Sequence, residues 1–154
     1  MSCFEAIKKE RIYGHVICGS IAKDQYQFLG VASIEHSESV GAIAAAFGLS
    51  SDAKRYREID AELARTILAN FLYRGQAYHL QIMSLERAEE LALQFMQEFG
   101  RPPCRFFTNW NFEQRADGLL YKTWGWDVTD ATFNTGVLVL GLQKSACVWI
   151  EDED

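Results

Sequence analysis

"ATFNTGVLVLGL", residues 131–142, decides the fold. Its run from Val137 to Leu140 is apolar at both parities, so a strand formed here has no face to give to water. Such a pattern belongs to a central strand covered on both sides. "SACVWIED", residues 145–152, follows after Gln143 and Lys144, which is close enough for a tight hairpin. Upstream, "CRFFTNW", residues 104–110, reads as another strand. The last third of the chain is therefore expected to be sheet.

The middle is expected to be helical. "DAKRYREIDAELARTILANFLYRG", residues 52–75, carries Ile59, Leu63, Ile67 and Phe71 four apart, with Tyr56, Leu68 and Leu72 widening the stripe. Arg57, Asp60, Glu62 and Arg65 occupy the other side, and the helix is expected to end near Gly75. A second helix, "LERAEELALQFMQEF", starts behind a Ser84 cap and stops at Gly100 before Pro102. Two amphipathic helices with a short connection pack as an antiparallel pair.

The first third is less regular. "RIYGHVICGSIAKDQYQFLGVASI" is β-branched and aromatic, with a turn at Lys23–Asp24 that suggests a hairpin. "SVGAIAAAFGLS" places Val40, Ile43, Ala44 and Phe47 at helical spacing ahead of Gly48, a short apolar helix that should be buried. No repeat or linker divides the chain. The expectation is one α+β domain over residues 1–154, a mostly antiparallel sheet with an antiparallel helix pair packed on one side.

Nearly half the residues are hydrophobic, which excludes a disordered chain, and no apolar run has the roughly 20 residues of a membrane helix. Charged residues crowd the N-terminus, from Glu5 to Arg11, where a signal peptide would be apolar. A cytoplasmic location is expected, with Cys3, Cys18, Cys104 and Cys147 as reduced thiols. The net charge of −6 is uneven: residues 1–112 hold 13 acids and 12 bases, and residues 113–154 hold 8 acids and 3 bases. That field disfavours nucleic acid and membrane surfaces and favours a basic partner; solubility is the plainer reading of the same charge.

No catalytic pattern emerges. His15 lies three residues before Cys18, but positions 15 and 18 of a strand face opposite ways, so neither a zinc site nor a nucleophile follows. His79 sits among core-like residues and His36 in a polar turn. GxSxG, HExxH and P-loop motifs are missing, and the terminal acids lack the frame of an EF-hand. Lys54, Arg55, Arg57 and Arg65 would share the exposed side of the first long helix, interleaved with acids as a solvated face. The expectation is a non-enzymatic protein with no catalytic residue, cofactor or metal.

The C-terminus supplies the functional argument. On a strand, Cys147, Trp149, Glu151 and Glu153 share one face, while Val148, Ile150 and Asp152 share the other. With the second set on the core, Trp149 stands exposed beside carboxylates, as a hot spot against a basic protein would. The competing reading packs Trp149 under a helix. A second cluster, "NWNFEQRADGLLYKTWGWDVTDATF", sets Trp110, Phe112, Tyr121, Trp124 and Trp126 in a segment whose Asn, Gly and Asp content reads as loop. The expected contact surface is Trp124, Trp126, Asp127, Asp130, Trp149, Glu151, Asp152 and Glu153.

These residues carry a family resemblance. "WGWDVTDATFNTGVLVLG" followed by "SACVWIEDED" resembles the C-terminal region of small bacterial immunity proteins, which neutralise toxins of contact-dependent inhibition and type VI secretion systems. The likeness covers about the last third, through a W-x-x-T…TF-x-x-G-[VI] pattern and a tryptophan before terminal acids. It implies a cytoplasmic inhibitor that binds a cognate toxin domain, often a nuclease, and blocks its active site. Contact residues vary among immunity proteins, so the surface named above rests on its own chemistry. Two rivals stand beside this reading. One is a small-molecule-binding domain or small enzyme with an aromatic-lined pocket, favoured if His79 or Cys104 lies in a cleft with a carboxylate. The other is a nucleic-acid mimic, disfavoured by the near-neutral first 112 residues.

Overall fold

A computed structural model describes residues 2–153. Its elements run α1 (Cys3–Glu10), β1 (His15–Ala22), α2 (Tyr26–Leu29), α3 (Ser39–Ala46), β2 (Arg57–Ile59), α4 (Ala61–Tyr73), α5 (Leu85–Phe99), β3 (Cys104–Thr108), β4 (Trp110–Gln114), β5 (Leu120–Gly125), β6 (Phe133–Gly141) and β7 (Lys144–Asp152). Five strands form one sheet in the order β1-β7-β6-β3-β2, and every adjacent pair is antiparallel. Strands β4 and β5 form a separate two-stranded hairpin. The fold is α+β, with α4 and α5 packed together.

The two apolar parities of β6 go to two different cores. Val137 and Val139 meet a layer built from α1, α4 and α5, in which Ile67, Leu68, Leu72, Leu91 and Phe95 are fully enclosed. Leu138 and Leu140 meet a second layer containing Ile43 and Ala44 of α3, together with Tyr26, Ile34 and Tyr56. Strand β7 divides the same way, Val148 and Ile150 against the helix pair and Cys147 and Trp149 against the second layer. Gly136 pairs with Trp149 across the hairpin, and a Cβ there would strike the Val148 carbonyl oxygen and the Trp149 ring. Its missing side chain makes room for the indole.

Both long helices begin on side-chain caps. Asp60 Oδ1 accepts the Leu63 N–H at 2.8 Å, and Ser84 Oγ accepts the Arg87 N–H at 3.1 Å. The Ser84 start and Gly100 end of α5 match expectation. The first long helix is shorter than its apolar stripe suggested: Ala53–Arg55 is a single 3₁₀ turn, Arg57–Ile59 pairs with β3, and the helix starts only after Asp60. Lys54, Arg55 and Arg57 therefore do not share a helix face with Arg65.

Two further expectations change. The β-branched first segment forms no hairpin, because Lys23–Gln25 continues as a 3₁₀ turn into α2 and β1 pairs instead with β7. Of the aromatic stretch after Asn109, residues 110–125 form a hairpin instead of a loop, with Asp117 and Gly118 in its turn, where Gly118 has φ +82°, while residues 126–132, with Asp127 and Asp130, are loop as expected. All four cysteines are free, and Cys3 and Cys147 are buried. No described helix is long and apolar enough to cross a membrane.

Candidate protein-binding surface

The hairpin and the loop that follows it carry the exposed aromatics. Trp124 is 64% exposed and Trp126 51%, whereas Trp110, Phe112 and Tyr121 are half-buried. The backbone under Trp126 is fixed on both sides: its N–H donates to the Asn109 carbonyl at 3.1 Å, and its carbonyl accepts from Asn109 Nδ2 at 2.8 Å. Gly125 permits this fold-back, since a Cβ would lie 2.7 Å from the Trp110 Cα. Arg55 Nη1 holds the Asp127 carbonyl at 2.7 Å, and Arg57 Nε holds the Trp110 carbonyl at 2.7 Å. The basic run thus anchors the segment that displays the tryptophans. An indole on an immobilised backbone loses little further freedom when it is covered.

Trp149 and Asp152 do not belong to this surface. Trp149 is fully buried, edge-on to Tyr56 with ring centroids 6.2 Å apart, and its indole N–H points at Asn134 Oδ1. Parity could not expose it, because the layer around α3 covers the face that faces away from α4 and α5. Asp152 is enclosed on the other face. Its two oxygens take the two Nη atoms of Arg11 at 2.9 Å each, and Oδ2 also accepts the Gln76 backbone and side-chain N–H groups at 3.0 and 3.1 Å.

Three of the four remaining acids fall together. Asp130, Glu151 and Glu153 line an open depression of about 440 Å³ with Gly14, His15 and Ala131. His15 Nδ1 lies 2.8 Å from Glu151 Oε1, so this exposed histidine has a carboxylate partner and faces away from Cys18. Glu153 receives the backbone N–H of Thr132 at 3.2 Å and its hydroxyl at 2.5 Å, tying the strand end to the loop before β6. Asp127 accepts Asn134 Nδ2 at 3.0 Å. Trp124 and Trp126 line a separate groove of about 110 Å³ together with Lys54, Arg55 and Arg57. The depression is therefore acidic, whereas the groove beside the tryptophans is basic.

Beneath it runs a polar network that the sequence did not announce. Lys122 Nζ donates to Gln76 Oε1 and to the Asn134 carbonyl, 5.0 Å from the Trp110 ring centre. Burial pulls its ammonium down to about 8, against the opposing attraction of Asp127 and Asp152. Asn134, fully buried, joins Asn109, Val128 and Asp127. Asn109 and Asn134, both buried, hold the Trp126 carbonyl and the Asp127 carboxylate in place. The only sequence signal for such a role is a polar residue inside an otherwise apolar strand.

A larger cleft, of about 460 Å³, opens between α4, the start of α5 and the turn of the hairpin. Arg65, Asn70, Tyr73, Arg74, His79, Glu89, Asp117 and Tyr121 are among its walls. His79 is half-buried with a left-handed φ of 53°, and its ring lies 5.0 Å from that of Tyr121. The Tyr121 hydroxyl donates to Asp117 Oδ2 at 2.6 Å, a bond that raises the phenol and lowers the carboxyl.

Comparison with known protein families, curated proteins and solved structures returns no match to this chain.

Proposed function

We propose that this protein is a non-enzymatic, cytoplasmic inhibitor of the immunity type, which covers a basic toxin domain with the surface around Trp124 and Trp126. The observation that carries the reading is the pair of exposed indoles on a hydrogen-bonded backbone, followed in the same loop by the exposed Asp127 and by Asp130, which lines an acidic depression with Glu151 and Glu153. Large rigid aromatics supply contact area at low entropic cost, and the surrounding carboxylates steer a cationic partner. The excess of acids after residue 112 acts in the same direction. Inhibition is steric: carboxylates on the covering surface occupy positions where a nuclease expects phosphates.

Capture from bacterial lysate at low and high salt, with native protein and the Trp124→Ala/Trp126→Ala variant as baits, tests this reading. It expects a stoichiometric basic protein, toxic when produced alone, retained by the native bait and lost from the variant. Equal retention by both baits removes the tryptophans from the interface. A partner that is acidic or harmless defeats the immunity assignment.

One observation favours a second reading. His79 lies in a cleft that also contains Asp117, Glu89 and two tyrosines, the arrangement that a small-ligand-binding domain requires.

A further inference from the structure

The cleft between α4, α5 and the hairpin turn contains a guanidinium without a counter-ion. Arg74 is half-buried, yet no carboxylate among the described residues comes within ion-pair distance of it. Its Nη1 donates to the His79 carbonyl at 2.8 Å, its Nη2 to the Tyr73 hydroxyl at 3.1 Å, and its Nε is shielded with no acceptor at all. A partly desolvated cation with only neutral acceptors is costly, and an anion alongside it relieves that cost. Arg65, exposed on α4, lines the same cleft and likewise makes no ion pair among the described residues.

The two carboxylates of the cleft do not fill this role. Asp117 is committed to the Leu119 N–H at 2.9 Å and the Tyr121 hydroxyl, with the Arg115 guanidinium 3.8 Å from the Tyr121 ring centre. Glu89 is exposed on α5 and pairs with neither arginine. Tyr73, His79 and Tyr121 give the cleft aromatic walls, and its volume far exceeds what a bare inorganic anion needs.

We propose that this cleft binds a small phosphate monoester with a planar organic body, its phosphate held by Arg74 and Arg65 and its body lying against Tyr73, His79 and Tyr121. The unpaired Arg65 guanidinium can meet two phosphate oxygens as a fork, and Arg74, whose Nη1 and Nη2 each keep one N–H beyond their bonds to His79 and Tyr73, adds a second cation; two cations suit a dianion better than a singly charged carboxylate. The inference rests on the ligand-binding reading and is independent of the surface around Trp124.

Titration of the intact protein, followed by amide chemical shifts, tests it with adenosine monophosphate, inorganic phosphate, adenosine and benzoate as probes. Saturable binding of adenosine monophosphate is expected, with shifts confined to the cleft. Inorganic phosphate should bind more weakly, and adenosine and benzoate at least tenfold more weakly than the nucleotide. Arg65→Ala, at an exposed position, should fold normally and weaken the nucleotide at least tenfold. Arg74→Lys keeps the charge, loses the two Nη groups that are anchored on His79 and Tyr73, and should weaken it similarly. Adenosine or benzoate binding as well as the nucleotide, or Arg65→Ala binding like the native protein, overturns the phosphate assignment while leaving a ligand cleft. Failure of all four probes to perturb cleft residues overturns the phosphate assignment, and failure of a wider panel of neutral and cationic compounds overturns the ligand-binding reading as well.

Discussion

Arg11, at the end of α1, and Asp152, at the end of β7, form a two-point ion pair inside the protein, with side chains 0% and 8% exposed. Removing one member leaves the other charged and enclosed. Asp152→Asn is expected to cost about 3–5 kcal/mol of folding stability, the range for breaking a buried pair. Urea denaturation of the variant and native protein measures it. A loss under about 1 kcal/mol would mean that water reaches Arg11.

Trp149 and the Trp124–Trp126 pair are expected to separate core from surface. Trp149→Ala empties a fully enclosed site and should cost about 3–5 kcal/mol. Trp124→Ala and Trp126→Ala remove exposed rings and should change stability by no more than about 0.5 kcal/mol. If the surface docks a partner, those two variants lose more than about 1 kcal/mol of binding instead. Thermal melts alongside calorimetric titration give both numbers for each variant.

Gly136→Ala places a methyl group against the Val148 carbonyl and the Trp149 ring at the centre of the sheet. Overpacking of this kind costs about 1–3 kcal/mol. The expected accompaniment is a shift in tryptophan fluorescence as the indole is displaced. An unchanged melt would show that the β6–β7 pair yields more than its burial suggests.

Lys122 gives the stability a particular dependence on pH. Its folded-state pKa, about 8, lies below the unfolded value of 10.5, so between these limits the unfolded chain binds more protons. Stability from this group therefore rises with pH across that window, by at most about 1.4 kcal/mol per pH unit. The raised thiol and phenol groups Cys3, Tyr26 and Tyr56 act in the opposite sense above pH 9, so the native curve alone is ambiguous. The difference in unfolding free energy between native protein and Lys122→Met isolates the term and should grow from pH 8 to 10.5. A constant difference would place the ammonium in contact with water.

Charge at the depression should act on encounter more than on residence. Asp130→Asn and Glu153→Gln are expected to slow association with a basic partner and reduce its salt dependence, with little effect on dissociation. Surface plasmon resonance at two ionic strengths distinguishes the two rates.

What the sequence disclosed depended on how many faces each element hides. Val137 to Leu140 announced a strand covered twice because four consecutive apolar residues leave water no side. The same logic applied to Ala146–Ile150, where five apolar residues in a row override any parity argument about Trp149. Helix α5 was legible through its Ser84 cap and its single apolar stripe. The start of α4 was hidden because Tyr56 and Ile59 fit a helical stripe as well as a strand, and only Asp60, three residues before Leu63, marked the true cap. The alternation of Trp110 and Phe112 against Leu120, Lys122 and Trp124 could have disclosed the hairpin, had the turn residues Asp117 and Gly118 been weighed separately. The exposure of Trp124 and Trp126 followed from aromatic density. The cleft containing Arg74 did not, because its walls come from three elements distant in the chain.

The placement of β7 between β1 and β6 also sets the order of events during synthesis. His15 pairs with Glu151 and Ala22 with Lys144, so β1 leaves the ribosome long before the strand that pairs with it exists. Until then β1 has no strand partner, and the edge of β6 that β7 covers is open. At about 5–20 residues per second that interval lasts about 6–24 seconds. A nascent chain stalled before residue 144 is thus a sticky one, and a chaperone that holds the β1 segment is expected to raise the yield of folded protein more than one that acts on the helix pair.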